Sequence, residues 1–147
     1  NIIASIQPIH CISDAATITK KRLGKRCKYS YPWKSIIDNG AILISGSDFP
    51  IESHNPFTGM EALVKRIPYG ADKSWFEKET LDIHSAIDSY TSKPWQSLDI
   101  KEQSGEIKEG NMADFIIIDR DIEAVDMVSE TKVLANIIAG KIRYRNK

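Results

Sequence analysis

Two apolar runs set the strongest limit on what this chain can fold into. Ile2 to Gln7 and Ala41 to Ser45 are short, isoleucine-rich and mostly apolar. Runs of that length read as strands buried on both faces, as in a parallel sheet covered by helices. Parallel neighbours need a crossover, and a helix lies between these two runs. Tyr31-Pro32-Trp33 starts it, Trp33, Ile36 and Ile37 share a face, and Asn39-Gly40 stops it. The segment from 8 to 28 is polar and basic, and we expect at most one short helix in it, near 14 to 22. Pro8 closes the first strand.

Beyond the second strand, Asn55-Pro56 is an N-cap followed by a proline at the first helical position. Phe57, Met60, Leu63, Val64 and Ile67 then recur at helical spacing until Pro68. Another helix starts near Thr80, with Ile83, Ala86, Ile87 and Tyr90 on one face. A short helix covers 94 to 99. After Gly105 the character changes. Residues 107 to 110 form a turn and Phe115 to Ile118 a strand. Val133 to Ile138 and Ile142 to Tyr144 form a hairpin about Ala139-Gly140. The order β, α, β, α, α and three β gives a right-handed βαβ unit followed by a small β subdomain.

Bulk properties exclude several classes. The chain has 147 residues, 41% hydrophobic and 27% charged, so it can bury a core and is not a disordered segment. Twenty basic residues balance twenty acidic ones, which gives no electrostatic case for nucleic acid or an anionic membrane. Lys20, Lys21, Arg22, Lys25, Arg26 and Lys28 form one basic run, read as a solvated face or as a contact for a phosphate or acidic substrate. No apolar run is long enough to span a bilayer. The two cysteines, Cys11 and Cys27, lack the CxxC spacing and read as free thiols of a reducing, cytoplasmic compartment. The chain opens inside a strand without an initiator Met, which suggests a piece of a larger protein.

In parallel α/β folds, sites form at the carboxyl ends of the strands. Here the first strand ends in Gln7-Pro8-Ile9-His10 and the second in Gly46-Ser47-Asp48-Phe49-Pro50. Parallel pairing puts Gln7, His10, Ser47 and Asp48 on one rim. A carboxylate between a turn glycine and a proline can be held still to bind a metal or act as a general base. The same aspartate can instead cap the loop in an Asx turn. His10 and His54 are loop or packing histidines on the plain reading, and His84 sits within a helix. The chain lacks GxSxG, HExxH, a CxxC pair, a Walker loop and GxGxxG. A catalytic zinc needs three protein ligands, more than these elements supply.

The stretches "IIASIQPIHCISD", "YPWKSIIDNGAILISGSDFPIE", "NPFTGMEALVKR", "TLDIHSAIDSYTSKPW" and "SGEIKEGNMADFIIIDRD" resemble, in that order, the last part of metal-dependent hydrolases of the amidohydrolase superfamily. The branch most similar is that of N-substituted formamide deformylase. The ordered motifs are QPxH, GSDxP and GxxADFxxxD, with Asn111-Met112 where Lys-Leu is common. The resemblance implies the C-terminal part of a (β/α)₈ TIM barrel, strands seven and eight with their helices, over residues 1–104. It implies the C-terminal share of a composite β-sandwich over 105–147. It further implies that Asp48 binds a divalent metal, zinc above all, and takes a proton from the attacking water. Gln7, His10 and Ser47 become substrate-contact candidates. The reaction implied is hydrolysis of a carbon–nitrogen bond, amide-like and non-peptide, in a small-molecule substrate. The family's other ligands come from earlier strands, so the remainder of the barrel is an implied partner and the chain alone is expected to be inactive. The competing expectation is a non-catalytic α/β domain that forms a homo-oligomer or binds a partner, its sheet edges open. A binding module around Trp33, Trp75 and Trp95 is a third.

Overall fold

The two isoleucine-rich runs pair in parallel. The computed structural model describes residues 2–98 and 105–146. In it Ile3–Ile6 forms β1 and Ile42–Ser45 forms β2, with Ile3 opposite Ile42 and Ile6 opposite Ser45. The Gly46 N–H donates to the Ile6 carbonyl at 2.9 Å, so the strands stay tied one residue past β2. Their carboxyl ends therefore emerge side by side, which is what positions the site.

The segment after β1 differs from expectation. Rather than a polar loop with one short helix, it is helical almost throughout. Pro8–Asp14 forms α1, Ala15–Thr19 a π-helical turn, Lys20–Leu23 α2 and Gly24–Tyr29 a 3-10 helix. Pro8 does not merely stop β1. It occupies the first turn of α1, where a missing N–H costs nothing and a fixed φ helps. Pro8, Cys11, Ile12 and Ala15 follow the i, i+3, i+4, i+7 pattern and all are buried. The six basic side chains of Lys20 to Lys28 are exposed.

The crossover helix α3 covers Trp33–Asp38, and Gly40 at φ 81° ends it as predicted. Pro56–Lys65 forms α4, and the Asn55 side chain accepts from the Phe57 N–H at 3.0 Å. The helix stops at Arg66, which turns left-handed, short of the expected end at Ile67. Ile83–Tyr90 forms α5, starting after Asp82 rather than near Thr80 because the Asp82 carboxylate caps the Ser85 N–H at 2.8 Å. Ser92–Ser97 forms α6, and the expected helical residue 99 lies outside the described residues.

Phe115–Ile118, Val133–Ile138 and Lys141–Arg145 form β3, β4 and β5, antiparallel in that order. Ala139 (φ 50°) and Gly140 (φ 72°) make the tight hairpin turn expected there, both residues left-handed as a type I′ turn requires. One core joins Cys11, Trp33, Leu43, Phe57, Met60, Leu63, Leu81, Ala86 and Val128. Val128 belongs to the segment before β4, so the second sheet is fastened to α4. The Glu61 carboxylate on α4 reinforces this by accepting from the Ser129 N–H at 2.8 Å.

Candidate active site at the carboxyl ends of the parallel strands

Four chain elements build the rim. Gln7 is the last extended residue before α1, and its carbonyl accepts from the His10 N–H at 3.2 Å. His10 and Ser13 are three apart on α1 and so share a face. After β2 the chain passes Gly46 and Ser47, then turns at Asp48, which has φ 59°. Aspartate is among the few residues that tolerate this left-handed conformation. The Asp48 carbonyl accepts from the Ile51 N–H at 2.9 Å and brings Glu52 back toward α1.

The turn is held by Ser47, not by Asp48. The Ser47 hydroxyl accepts from the Phe49 N–H at 3.2 Å. The Asp48 carboxylate takes no Asx-turn role, because Pro50, two residues on, has no N–H to donate. Its Oδ2 lies 3.1 Å from His10 Nε2, and the side chain keeps 55% of its exposure. On the other side of the ring, His10 Nδ1 lies 3.5 Å from Glu52 Oε1, and the Ser13 hydroxyl donates to that same oxygen at 2.6 Å. The His10 and Glu52 side chains are only 23% and 17% exposed, so the network runs from a covered carboxylate, through an imidazole, to an open one.

A cavity of about 300 Å³ adjoins this network, lined by Gln7, His10, Asp14, Tyr31, Trp33 and Ile36 among others. Arg66 fixes its aromatic wall from behind. It donates from its two terminal nitrogens to the Tyr31 and Ser30 carbonyls at 2.9 and 3.1 Å and from Nε to the Trp75 carbonyl. Its guanidinium lies over the Trp33 and Trp75 rings. Burial pushes the Tyr31 phenol above its usual range. Trp33 and Trp75 are thus both held by one arginine, and Trp33 also lines the cavity.

Gln7, His10 and Asp48 therefore meet at one rim, and Ser47 stands beside them as a turn former. His54 packs edge-on against the Phe49 ring, and His84 is exposed on α5, 3.6 Å from Glu123. Cys11 is buried, its thiol pushed up to about 11 by desolvation. Among the described residues, no three His, Cys, Asp or Glu side chains gather as a metal-binding group. The donor set does not make a metal centre by itself. Asp48, open on one side and braced on the other, fits one ligand position of a larger one. Sequence reasoning missed Glu52, Ser13 and Arg66. The first two become visible only once α1 is recognised.

Comparison with known proteins decides the family. Residues 1–144 match the model described as the amidohydrolase family. The chain belongs to the amidohydrolase family. It is 31% identical over 146 residues to Protein LONG AFTER FAR-RED 3 of Arabidopsis thaliana, covering 98% of this chain and 25% of that one. It is 32% identical over 148 residues to YtcJ of Bacillus subtilis (strain 168), an amidohydrolase by name, covering 97% and 28%. The crystal structure of an uncharacterized metal-dependent hydrolase from Pyrococcus horikoshii OT3 superposes with a TM-score of 0.72 at 28% identity, over 87% of this chain and 26% of that one. The chain spans about a quarter of the length of these relatives. The mixed α/β architecture, with its rim at the strand ends, agrees with a portion of such a hydrolase.

Proposed function

We propose that this chain supplies one sector of a metal-dependent hydrolase active site. Its reaction is cleavage of a carbon–nitrogen bond in a small, non-peptide, amide-like substrate. The observation that carries this reading is the Asp48 carboxylate. It stands at the carboxyl end of β2, takes no part in the turn that Ser47 holds, and is braced by His10. In this reading residues 1–104 belong to the last two strands and helices of a (β/α)₈ barrel, and 105–147 to a composite β-sandwich. The branch is that of the N-substituted formamide deformylases, the setting is cytoplasmic, and zinc is the metal. No helix among the described residues is long and apolar enough to cross a membrane.

Asp48 is the residue of this chain that would hold the ion. When bound, such an ion lowers the pKa of a coordinated water toward neutrality. Asp48 accepts a proton from the attacking water at Oδ1 while Oδ2 stays against His10. Gln7 and His10 border the adjoining cavity and contact the substrate there. The 147-residue chain alone, with a partial donor set, does not turn over.

The test is Asp48→Asn in the complete hydrolase. Loss of a general base alone costs about 10²- to 10⁴-fold, and loss of a ligand adds to it. We expect turnover to fall by at least 10³-fold with an unchanged circular dichroism spectrum. Turnover within a few-fold of wild type would sink the role. For the chain by itself, metal content after dialysis should be far below one ion per chain. A full equivalent of zinc, lost in Asp48→Ala, would show that the chain builds a site of its own.

A further inference from the structure

We propose that the cavity beside His10 holds a cationic end of the substrate, with Asp14 as its counter-ion and Tyr31 and Trp33 as its aromatic walls. The substrate class is then an amide that also carries an ammonium group. This deepens the reading of Asp48 as part of a hydrolase site and rests on it. His10 and Asp14 are four apart on α1 and so lie on one face of the helix. Both line the cavity of about 300 Å³, and His10 also meets Asp48. A substrate whose amide is held at Asp48 thus has the cavity next to it, across His10.

The charge in the wall decides what fits. Among the described residues no lysine or arginine lines the cavity, and Asp14 is its one carboxylate. The six cations of Lys20 to Lys28 are exposed, and Arg66, behind Trp33, is occupied by three backbone carbonyls. Thr17 reaches the Asp14 backbone carbonyl, not the carboxylate, which has no hydrogen-bond or ion-pair partner among the described residues. Burial raises the pKa of the Tyr31 phenol, the Thr19 hydroxyl opposes this, and the Asp14 charge adds to it, so the carboxylate lies close to the aromatic wall. An anionic group in this cavity meets a like charge with no cation to offset it. A neutral group strips water from Asp14 and returns no bond, which costs free energy. An ammonium replaces that water with an ion pair, and its carbon chain lies against Trp33, Pro32 and Ile36. Aromatic walls also favour a cation. The volume suits a short aminoalkyl or a benzylammonium group and is at the small end for ligand sites.

The test pairs two probes in the complete hydrolase: N-formylputrescine, which ends in an ammonium, and N-pentylformamide, in which a methyl group replaces it. Attack of water on either breaks the C–N bond and releases formate and an amine. We expect kcat/KM to favour the ammonium probe by at least about 10-fold, and the preference to shrink with added salt. Asp14→Asn preserves shape, so folding is retained. It should lower kcat/KM for the ammonium probe at least about 10-fold, chiefly through KM, and leave the neutral probe within about 2-fold. A wild type that prefers the neutral probe, or a loss in Asp14→Asn that is equal for both probes, overturns the inference and leaves the function standing. The cavity is also read without turnover, by calorimetric titration of benzylammonium and of neutral benzyl alcohol. Benzylammonium should bind the wild type more tightly than benzyl alcohol and lose that advantage in Asp14→Asn. Turnover of neither formamide, or near-normal turnover in Asp48→Asn, would defeat the functional reading instead. The calorimetry then still decides the cavity, because a wild type with no Asp14-dependent preference for the cation overturns the inference by itself.

Discussion

Arg66 offers the sharpest test of the physics behind the cavity wall. Its side chain is 0% exposed, and among the described residues no carboxylate pairs with it directly. The nearby Glu79 is occupied with Ser35, whose N–H and hydroxyl donate to it at 3.0 and 2.6 Å. Three backbone carbonyls and two indole rings compensate the guanidinium. Desolvation pulls its pKa below the usual arginine range, as expected for a charge held by dipoles. Arg66→Met keeps much of the volume and removes every donor. Each buried carbonyl left without a partner costs about 1–3 kcal/mol, and each cation–π contact contributes about 0.5–2 kcal/mol.

Against this stands the relief from burying a charge, which in some proteins exceeds the loss. Because all three acceptors lose their donor together, we expect the loss to win, with a net destabilisation of about 3 kcal/mol. For a chain of this size that lowers Tm by roughly 6–12 °C. Urea unfolding followed by tryptophan fluorescence measures it, with Arg66→Lys expected between the two because one ammonium cannot reach three carbonyls. A midpoint for Arg66→Met equal to or above wild type, at unchanged m, would refute the reasoning and show that burying the charge costs more than the bonds return.

Thiol labelling of the native chain at pH 8 should modify Cys27 quickly and Cys11 only at the rate of unfolding, because Cys11 is fully buried and its thiol is pushed up to about 11 from 9.0. The sign follows: a raised thiol pKa stabilises the fold below pH 9, and that contribution is lost as pH rises toward 11, so Cys11→Ala should flatten this part of the stability profile. Asp82→Ala should destabilise the fold by about 1 kcal/mol through loss of the α5 cap. The Asp82 pKa is lowered, chiefly by the Ser85 N–H. The cap's contribution is therefore present above the unfolded pKa and is lost as pH falls through the lower folded one, so wild type and variant should converge in urea titrations at low pH.

The strands, the Asn55 cap and the Ala139-Gly140 hairpin were legible because each is written locally, as an apolar run, a capping side chain or a two-residue turn. The helical path from Pro8 to Tyr29 was not. Pro8 ends a strand and starts a helix with equal ease, and the Pro8, Cys11, Ile12 and Ala15 stripe is diluted by the basic run behind it. Missing α1 concealed the candidate site's inner half, since Ser13 and Glu52 acquire meaning only when His10 and Ser13 share a helical face. Asp48 was legible from its setting between glycine and proline. That Ser47 takes the turn follows from Pro50, whose missing N–H leaves the Asp48 side chain nothing to accept two residues on. Nothing local marks Arg66, and only the tertiary fold reveals that it is buried.

The candidate site and the uncovered surfaces are incomplete in the same sense. Asp48 is braced on one side and open on the other, in a two-stranded parallel sheet whose outer edges pair with no strand among the described residues. In the second sheet, Ile116, Asn136 and Tyr144 are paired across the three strands, and Leu134 and Ile138 flank Asn136 on the same face. The apolar members of that face are exposed. Parallel sheets are stable when both faces and edges are covered, and apolar faces of this kind are covered in working proteins. In the proposed reading one cause serves for both. The same additional chain that completes the ligands around Asp48 covers β1, β2 and the second sheet, so catalysis and the stability of these surfaces should be gained together. Adding back those missing parts as a separate polypeptide should raise the unfolding midpoint of this chain and restore metal binding at one common stoichiometry. Stabilisation without metal uptake would separate the two and break the argument.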